Sequence, residues 1–385
     1  MEFALTQDQQ MMREAARALY EREIAPVLAA HDADASLPKV AMLKIFAALA
    51  TLGITAPRLP ESDGGGGLSM LAYGLMFEQL PPVVSIALMS HECTIARIWA
   101  ETTAKNRNRF LPDLLAGRKI CCTGTTEPDV GSDPRSVKTR VVRDGDELVI
   151  TGRKMWITNV TICDLINVSC DEGPDARGLA TLRRLVVERD QTPFETREIR
   201  TLGLRQGHLG EALFDAARVP LDNALGHSGD AARMLTLTWN GNRPLVGLAA
   251  VHLAQRALDL ARDYAGLRVQ FGTKIGGHQL IQKNLADIET AVMTSRLLCY
   301  YALDAIDRGE RANGSSAMAK RYATNACEQA ISLAMHTHGA MGISEELGLE
   351  RLYRDIRMLP IPDGTNEILT LIQGRELTGI DAFRA

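Results

Sequence analysis

The chain has 385 residues, 46% of them hydrophobic and 23% charged, with a formal net charge of −4. That length accommodates two or three modules around a sizeable core. The mildly acidic balance excludes the electrostatic footprint of a nucleic-acid or anionic-membrane binder.

The start, "MEFALTQDQQ", has an early acid and no apolar h-region, so it does not read as a signal peptide, and no apolar run is long enough to span a bilayer. From Gln7 to about Gly117 apolar residues recur at helical steps, through "DQQMMREAARALYEREIAPVL" and "LPKVAMLKIFAALATLGI". The four glycines of "PRLPESDGGGGLS" follow no strand and precede no Gly-Lys-Ser/Thr, so Gly64 to Gly67 read as a flexible loop tip and not a phosphate cradle.

Near Arg118 the character changes. Two alternating runs flank Asp144-Gly145, a hairpin signal, and "LINVSC", "LRRLVVE" and "EALFDAARVP" continue as short strands to about Ser228. This predicts a small β domain of sandwich or barrel type, with the Arg-rich run "RGLATLRRLVVERD" as a solvated strand edge. From Asp230 the pattern is helical again over Pro244 to Arg268, Gln279 to Arg308 and Ser315 to His338, with a shorter fourth helix after them. Pro244 would sit in a first turn, where proline is normal. The expected class is therefore α+β: an N-terminal helical domain (1–118), a middle β domain (119–229) and a C-terminal four-helix bundle (230–385). No GxGxxG follows a strand, which argues against a Rossmann site. The seven cysteines form no CxxC and no metal spacing with histidine, so no metal and free thiols in a reducing cytoplasm are expected.

Six strings in order, "TGTTEPDVGSD", "GRKMWITN", "LRVQFGTKIGGHQLIQ", "HGAMGI", "LYRDIRM" and "DGTNEI", make the chain resemble the acyl-CoA dehydrogenase family over essentially its whole length. The resemblance implies FAD in a cleft between the β domain and the bundle. It places Thr126 and Ser132 near the flavin and Trp156 and Thr158 over one face of its ring. Arg268, Phe271 and Gln279 would hold the pyrophosphate and adenosine part of a FAD in a neighbouring subunit. His336 stands where glutamine is usual for that task, beside Gly339, and Thr365 and Glu367 would meet the cofactor again. Ser132, Asn240, Arg243 and Gly364 fall on substrate positions. It further implies a homotetramer, electron-transferring flavoprotein as electron acceptor, and coenzyme A or acyl carrier protein as the thioester carrier. The residue types suit those tasks, since a guanidinium pairs with diphosphate and an indole offers a broad stacking face.

Removing a weakly acidic α-proton needs a base within hydrogen-bond reach and donors on the thioester carbonyl. The family's base is usually a glutamate just before Gly-Thr; here Asp363 stands there, after Pro362 where an aromatic residue is frequent. The alternative family position for the glutamate is Asn242, which carries no charge. The missing methylene retracts the carboxylate by roughly 1.5 Å, a displacement that changes rates on the order of a hundredfold when uncompensated. Three enzymatic readings fit: a dehydrogenase for a branched or cyclic acyl group, an oxidase like nitroalkane oxidase, or a reductase like the crotonobetainyl-CoA reductases. A flavin-binding protein without turnover is the non-enzymatic reading. His91 and Glu92 lie on a helix lining the acyl end of the pocket in relatives, His91 as a substrate contact and either as a second proton carrier; the bland readings are a buried histidine and a solvated acid.

Overall fold

Local capping decides where the N-terminal helices begin. The computed structural model describes residues 4–134, 136–174, 180–227 and 231–382, with backbone alone at 180 and 231–237. In α1 (Gln7–Leu19) the Thr6 hydroxyl accepts from the Gln9 amide while the Gln9 side chain accepts from the Thr6 amide, satisfying two donors that a helix start leaves open. α2 (Ala25–Ala29), α3 (Lys39–Ala50), α4 (Met70–Phe77), α5 (Pro82–Glu101) and α6 (Ala104–Leu115) follow. The start of α4 is capped locally, by the Ser69 hydroxyl accepting from the Ala72 amide, and also from afar. Asp307, at the end of α8 (Gln279–Asp307), accepts from the Met70 and Leu71 amides at 2.6 and 2.9 Å, which ties the first helical segment to the last.

The glycine run is packed, which corrects the expected flexible tip. The amides of Gly66 and Gly67 donate to the carbonyls of Ala56 and Leu59, and a Cβ on Gly65 would meet Leu59 at 2.3 Å. Glycine is required here because backbone approaches backbone.

The middle segment is one eight-stranded sheet. Its strands are β1 (Cys121–Gly124), β2 (Arg140–Asp144), β3 (Glu147–Thr158), β4 (Leu165–Pro174), β5 (Ala180–Glu188), β6 (Glu195–Glu198), β7 (Leu209–Pro220) and β8 (Ala224–Leu225). They run in the order β6-β7-β3-β2-β4-β5-β8, with β1 added parallel to β4. The β2–β3 hairpin forms where its sequence signal indicates, one residue on: Gly145 and Asp146 make the turn, and Asp144 pairs with Glu147. The arginine run is not a solvated edge: Arg184 on β5 is buried and ion-paired with Glu101 at the end of α5.

The boundary expected near Ser228 to Asp230 lies outside the described residues. Beyond it α7 (Ala231–Leu267), α8, α9 (Asn313–His338), α10 (Leu349–Ile356) and α11 (Asn366–Thr378) form the C-terminal bundle. α7 does not start at Pro244, as the sequence suggested, but runs through it. A proline inside a helix strands the carbonyl four residues earlier. Here that carbonyl, Asn240 O, accepts instead from the Ser316 hydroxyl of α9 at 2.7 Å. A crossing helix supplies the missing donor, so the helix continues.

One buried cluster, including Phe46, Tyr73, Leu248 and Leu303, joins the N-terminal helices to the bundle. A second fills the sheet around Ile150, Val168 and Phe214.

Candidate active site

A cavity of about 1170 Å3 is walled by α5, the loop 125–134, the end of β3, the middle of α7 and the loop 357–365. The sheet contributes its wall through a defect. Pairing of β3 with β7 slips register between Lys154 and Ile157, and Trp156 in the slip adopts φ +59°, costly for a bulky residue. Such a bulge re-aims a side chain; the indole lines the cavity with 52% of its surface open. The neighbouring loop is bolted to the same strand. Met155 donates its amide to Thr126 O at 2.9 Å, and the buried Lys154 ammonium donates to Thr125 O at 3.1 Å and Glu127 at 2.7 Å. Burial disfavours ionisation of Glu127, yet bonds from Lys154 and the Thr139 and Lys138 amides hold its pKa below the usual value.

The opposite chemistry sits on the loop before α11. Asp363 has φ +54° and Gly364 φ +93°, two consecutive left-handed residues that need outside support. Two buried cations of the bundle supply it. Arg243 Nε donates to Asp363 O at 3.1 Å, and Lys320 Nζ donates to Pro360 O at 3.1 Å and Gly364 O at 2.6 Å. Lys320 is 0% exposed. Burial brings its pKa down to about 7 and that of Arg243 to about 10, each against the pull of Asp363.

The Asp363 carboxyl faces the cavity with its Oδ2 buried and without a hydrogen bond. Burial raises its pKa, while Lys320, Arg243, Arg97 and the Asn242 amide draw it back. An unpartnered, desolvated carboxylate oxygen at a cavity wall is a proton acceptor waiting for a donor. Asp363 does not cap α11; Thr365 does, its hydroxyl accepting from the Ile368 amide at 3.4 Å.

Models of the acyl-CoA dehydrogenase N-terminal, middle and C-terminal domains match residues 6–118, 122–217 and 231–378. The chain belongs to the acyl-CoA dehydrogenase family. It is 33% identical to the cyclohex-1-ene-1-carbonyl-CoA dehydrogenase of Geobacter metallireducens over 97% of this chain and 98% of that one. The structure of butyryl-CoA dehydrogenase from Megasphaera elsdenii superposes with a TM-score of 0.91 at 29% identity, covering 98% of this chain and 100% of that one. A chain from a structure described as the electron transferring flavoprotein of Acidaminococcus fermentans gives 0.91 at 27% identity, with the same coverages. Acyl-CoA dehydrogenases are flavoprotein oxidoreductases acting on the CH–CH bond of acyl-CoA.

Of the residues that the family resemblance singled out, Thr126, Ser132, Trp156, Thr158, Asp363, Gly364 and Thr365 all line this one cavity. A second group lies elsewhere. Arg268, Phe271, Gln279, His336 and Gly339 are exposed at the end of the bundle where α7 and α9 finish and α8 begins, an end joined by stacking of Tyr264 on His338 at 4.5 Å. Glu367 is exposed in the first turn of α11 and does not line the cavity.

Three expectations are corrected. His91 does not reach substrate. It is fully buried, with Nε2 on Leu114 O, Nδ1 accepting from the Cys121 amide at 3.1 Å, and its ring against Phe46; burial lowers its pKa to about 4, so it is neutral. Glu92 is no solvated acid, since Arg58 binds both its oxygens at 2.5 and 2.9 Å. Asn240 and Arg243 do not line the cavity either. Arg243 donates to Asn240 Oδ1 at 3.3 Å and, through Nε, to the Asp363 carbonyl.

Sequence reading missed Lys320, Arg97 and the Arg58–Glu92 pair. The first two carried a signal. Lys320 falls on the stripe Ser316, Ala323, Cys327, and Arg97 on Ile86, Cys93 at helical spacing; a charge on an otherwise buried stripe marks a paired or functional group.

Proposed function

We propose that this chain is an FAD-dependent acyl-CoA dehydrogenase whose Asp363 carboxylate removes the α-proton of the acyl thioester. The buried, unpartnered Oδ2 of Asp363 in the cavity carries this reading. The residues present suit FAD: a half-open indole for a ring face, the Thr126 and Thr158 hydroxyls and Ser132 in the same cavity, and a Phe271 ring 96% exposed beside Arg268. Bound there, FAD supplies the hydride acceptor for the substrate Cβ.

The chain's own residues do the rest. Asp363 takes the proton, and three cations, Lys320, Arg243 and Arg97, keep its carboxylate available despite burial. The amides of Asp363, Gly364 and Thr365 donate to no backbone acceptor among the described residues, and they stand at the start of α11, where the helix dipole favours negative charge. They are the donors on hand for the thioester oxygen as charge develops on it.

The exposed group at the bundle end supports a homotetramer. Arg268 makes no side-chain hydrogen bond or ion pair among the described residues, and an aromatic ring as open as Phe271 fits a surface covered by a second copy, with Arg268, Gln279 and His336 on that copy's FAD. Electron-transferring flavoprotein is the proposed electron acceptor, in keeping with the Acidaminococcus neighbour. Seven free, buried cysteines suit a reducing cytoplasm, and no helix among the described residues is long and apolar enough to cross a membrane.

The test is anaerobic titration of the yellow protein with a panel of acyl-CoA thioesters, linear, branched and cyclic, following loss of flavin absorbance. Bleaching by at least one supports the reading. Bleaching only by nitroalkanes, with oxygen consumption, would replace it with an oxidase, and failure to bind FAD at all would end it.

A further inference from the structure

Arg97 is a buried cation in the cavity that acts on Asp363 and Glu92 only from a distance and forms no ion pair among the described residues. It lies on α5 one turn after Cys93, both lining the cavity, and is 4% exposed. Its Nε donates to Thr238 at 3.2 Å and its Nη1 to Thr123 at 3.1 Å. Nη2 has no partner among the described residues, and no carboxylate comes within ion-pair distance of the guanidinium there.

Neither nearby carboxylate pairs with it. Glu92 is gripped on both oxygens by Arg58, and the Asp363 carboxyl, reserved for the proton, makes no ion pair with Arg97 and keeps its Oδ2 free of hydrogen bonds. A desolvated guanidinium with only hydroxyl partners is costly unless an anion completes its fork of donors. Two threonines from different elements, β1 and α7, fix the plane of the group and leave one edge toward the cavity.

We infer that the substrate brings that anion: the acyl group ends in a carboxylate bound by Arg97, so the natural substrate is a dicarboxylic acyl thioester. This rests on the dehydrogenase reading above and narrows it. The reaction is unchanged in balance. Asp363 would take the Cα proton, FAD when bound would supply the acceptor for the Cβ hydride, and the distal carboxylate is held, not consumed. A neutral chain of the same length would strip water from Arg97 without replacing it, so the site discriminates against it.

The experiment compares succinyl-, glutaryl- and adipoyl-CoA with butyryl-, pentanoyl- and hexanoyl-CoA in the flavin-loaded protein, by kcat/KM and by rate of anaerobic bleaching. In the wild type the best diacid thioester should exceed its neutral counterpart by about tenfold or more, the worth of one charge-assisted contact. In Arg97→Met that ratio should fall to about one or below, and Arg97→Lys should retain part of it, each variant first checked for flavin content. Wild-type protein that prefers the neutral series, or treats both alike, overturns the inference even where the variants do not fold, and leaves the dehydrogenase reading intact. An unchanged ratio in a flavin-loaded Arg97→Met protein overturns it as well. If neither series bleaches a flavin-loaded protein while other acyl thioesters do, the diacid inference alone falls. If no thioester does, both fall.

Discussion

Lys320 Nζ donates to the carbonyl of Gly364 at 2.6 Å, immediately after the candidate base. With Arg243 on the carbonyl of Asp363 itself, the two cations hold a pair of left-handed residues from behind. Replacing Lys320 by Met leaves two buried carbonyls without a donor and removes the largest charge that favours ionised Asp363. The Lys320→Met protein is expected to keep its flavin yet lose roughly a hundredfold in the rate of bleaching, the scale of an ångström-sized misplacement. Stopped-flow reduction measured beside flavin content checks this; a rate within a factor of a few of wild type would show that the loop holds its shape unaided.

Asp363 itself predicts a pH dependence. Only its ionised form accepts a proton, and burial raises its pKa above the ordinary 3.8. Activity should therefore fall on the acid side at a pH above that of an ordinary aspartate, with the limb shifting higher in Lys320→Met. Asp363→Asn should retain yellow flavin and lose substrate bleaching at every pH. Bleaching at the wild-type rate in that variant sinks the assignment of the base.

Much of this site was legible before any coordinates. The β2–β3 hairpin, the order of helical and β segments, and the strings that carry Trp156, Thr158 and Asp363 are local signals, each contained in a few consecutive residues. What was hidden depends on crossings between distant elements. Nothing near Pro244 announces that Ser316 will satisfy the carbonyl it strands, so the helix start was misplaced by a turn rule that is sound locally. For His91 the buried reading holds and the substrate contact does not; what its own helix could not show is that its partners, Leu114 and Cys121, come from another helix and a strand. Glycines 64–67 looked flexible because the segment they pack on is not evident from composition.

The exposed group at the end of the bundle yields a prediction about assembly. If Arg268 and Phe271 complete the cofactor site of a second copy, Arg268→Ala should weaken FAD retention by about tenfold or more, the loss of a charge-assisted contact to phosphate. It should do so although Arg268 does not line the chain's own cavity. Equilibrium dialysis of the protein against FAD, with mass measured by light scattering, separates the cases. Unchanged FAD affinity in a protein that remains an oligomer would remove Arg268 from the site.

Asp355 offers a stability test behind Leu204, a residue of the cavity lining. Its carboxylate accepts from the amide of Leu204 at 2.5 Å, and Leu204, with φ +54°, lines the cavity. Burial pushes the pKa of Asp355 up to about 6, against the opposing pull of the Leu204 amide and of Arg354 and Arg351. Because the folded state holds the proton more tightly than the unfolded chain, the contribution of this group to stability is present below the ordinary pKa and is lost as pH rises through about 6. The loss is on the order of 3 kcal/mol across that window. Asn at this position still accepts from Leu204 but does not titrate. The melting temperature of wild type relative to Asp355→Asn should thus decline from roughly pH 4 to pH 7 and level off above it. A constant difference across that range would mean that the Asp355 carboxyl ionises as freely in the folded protein as in the unfolded chain.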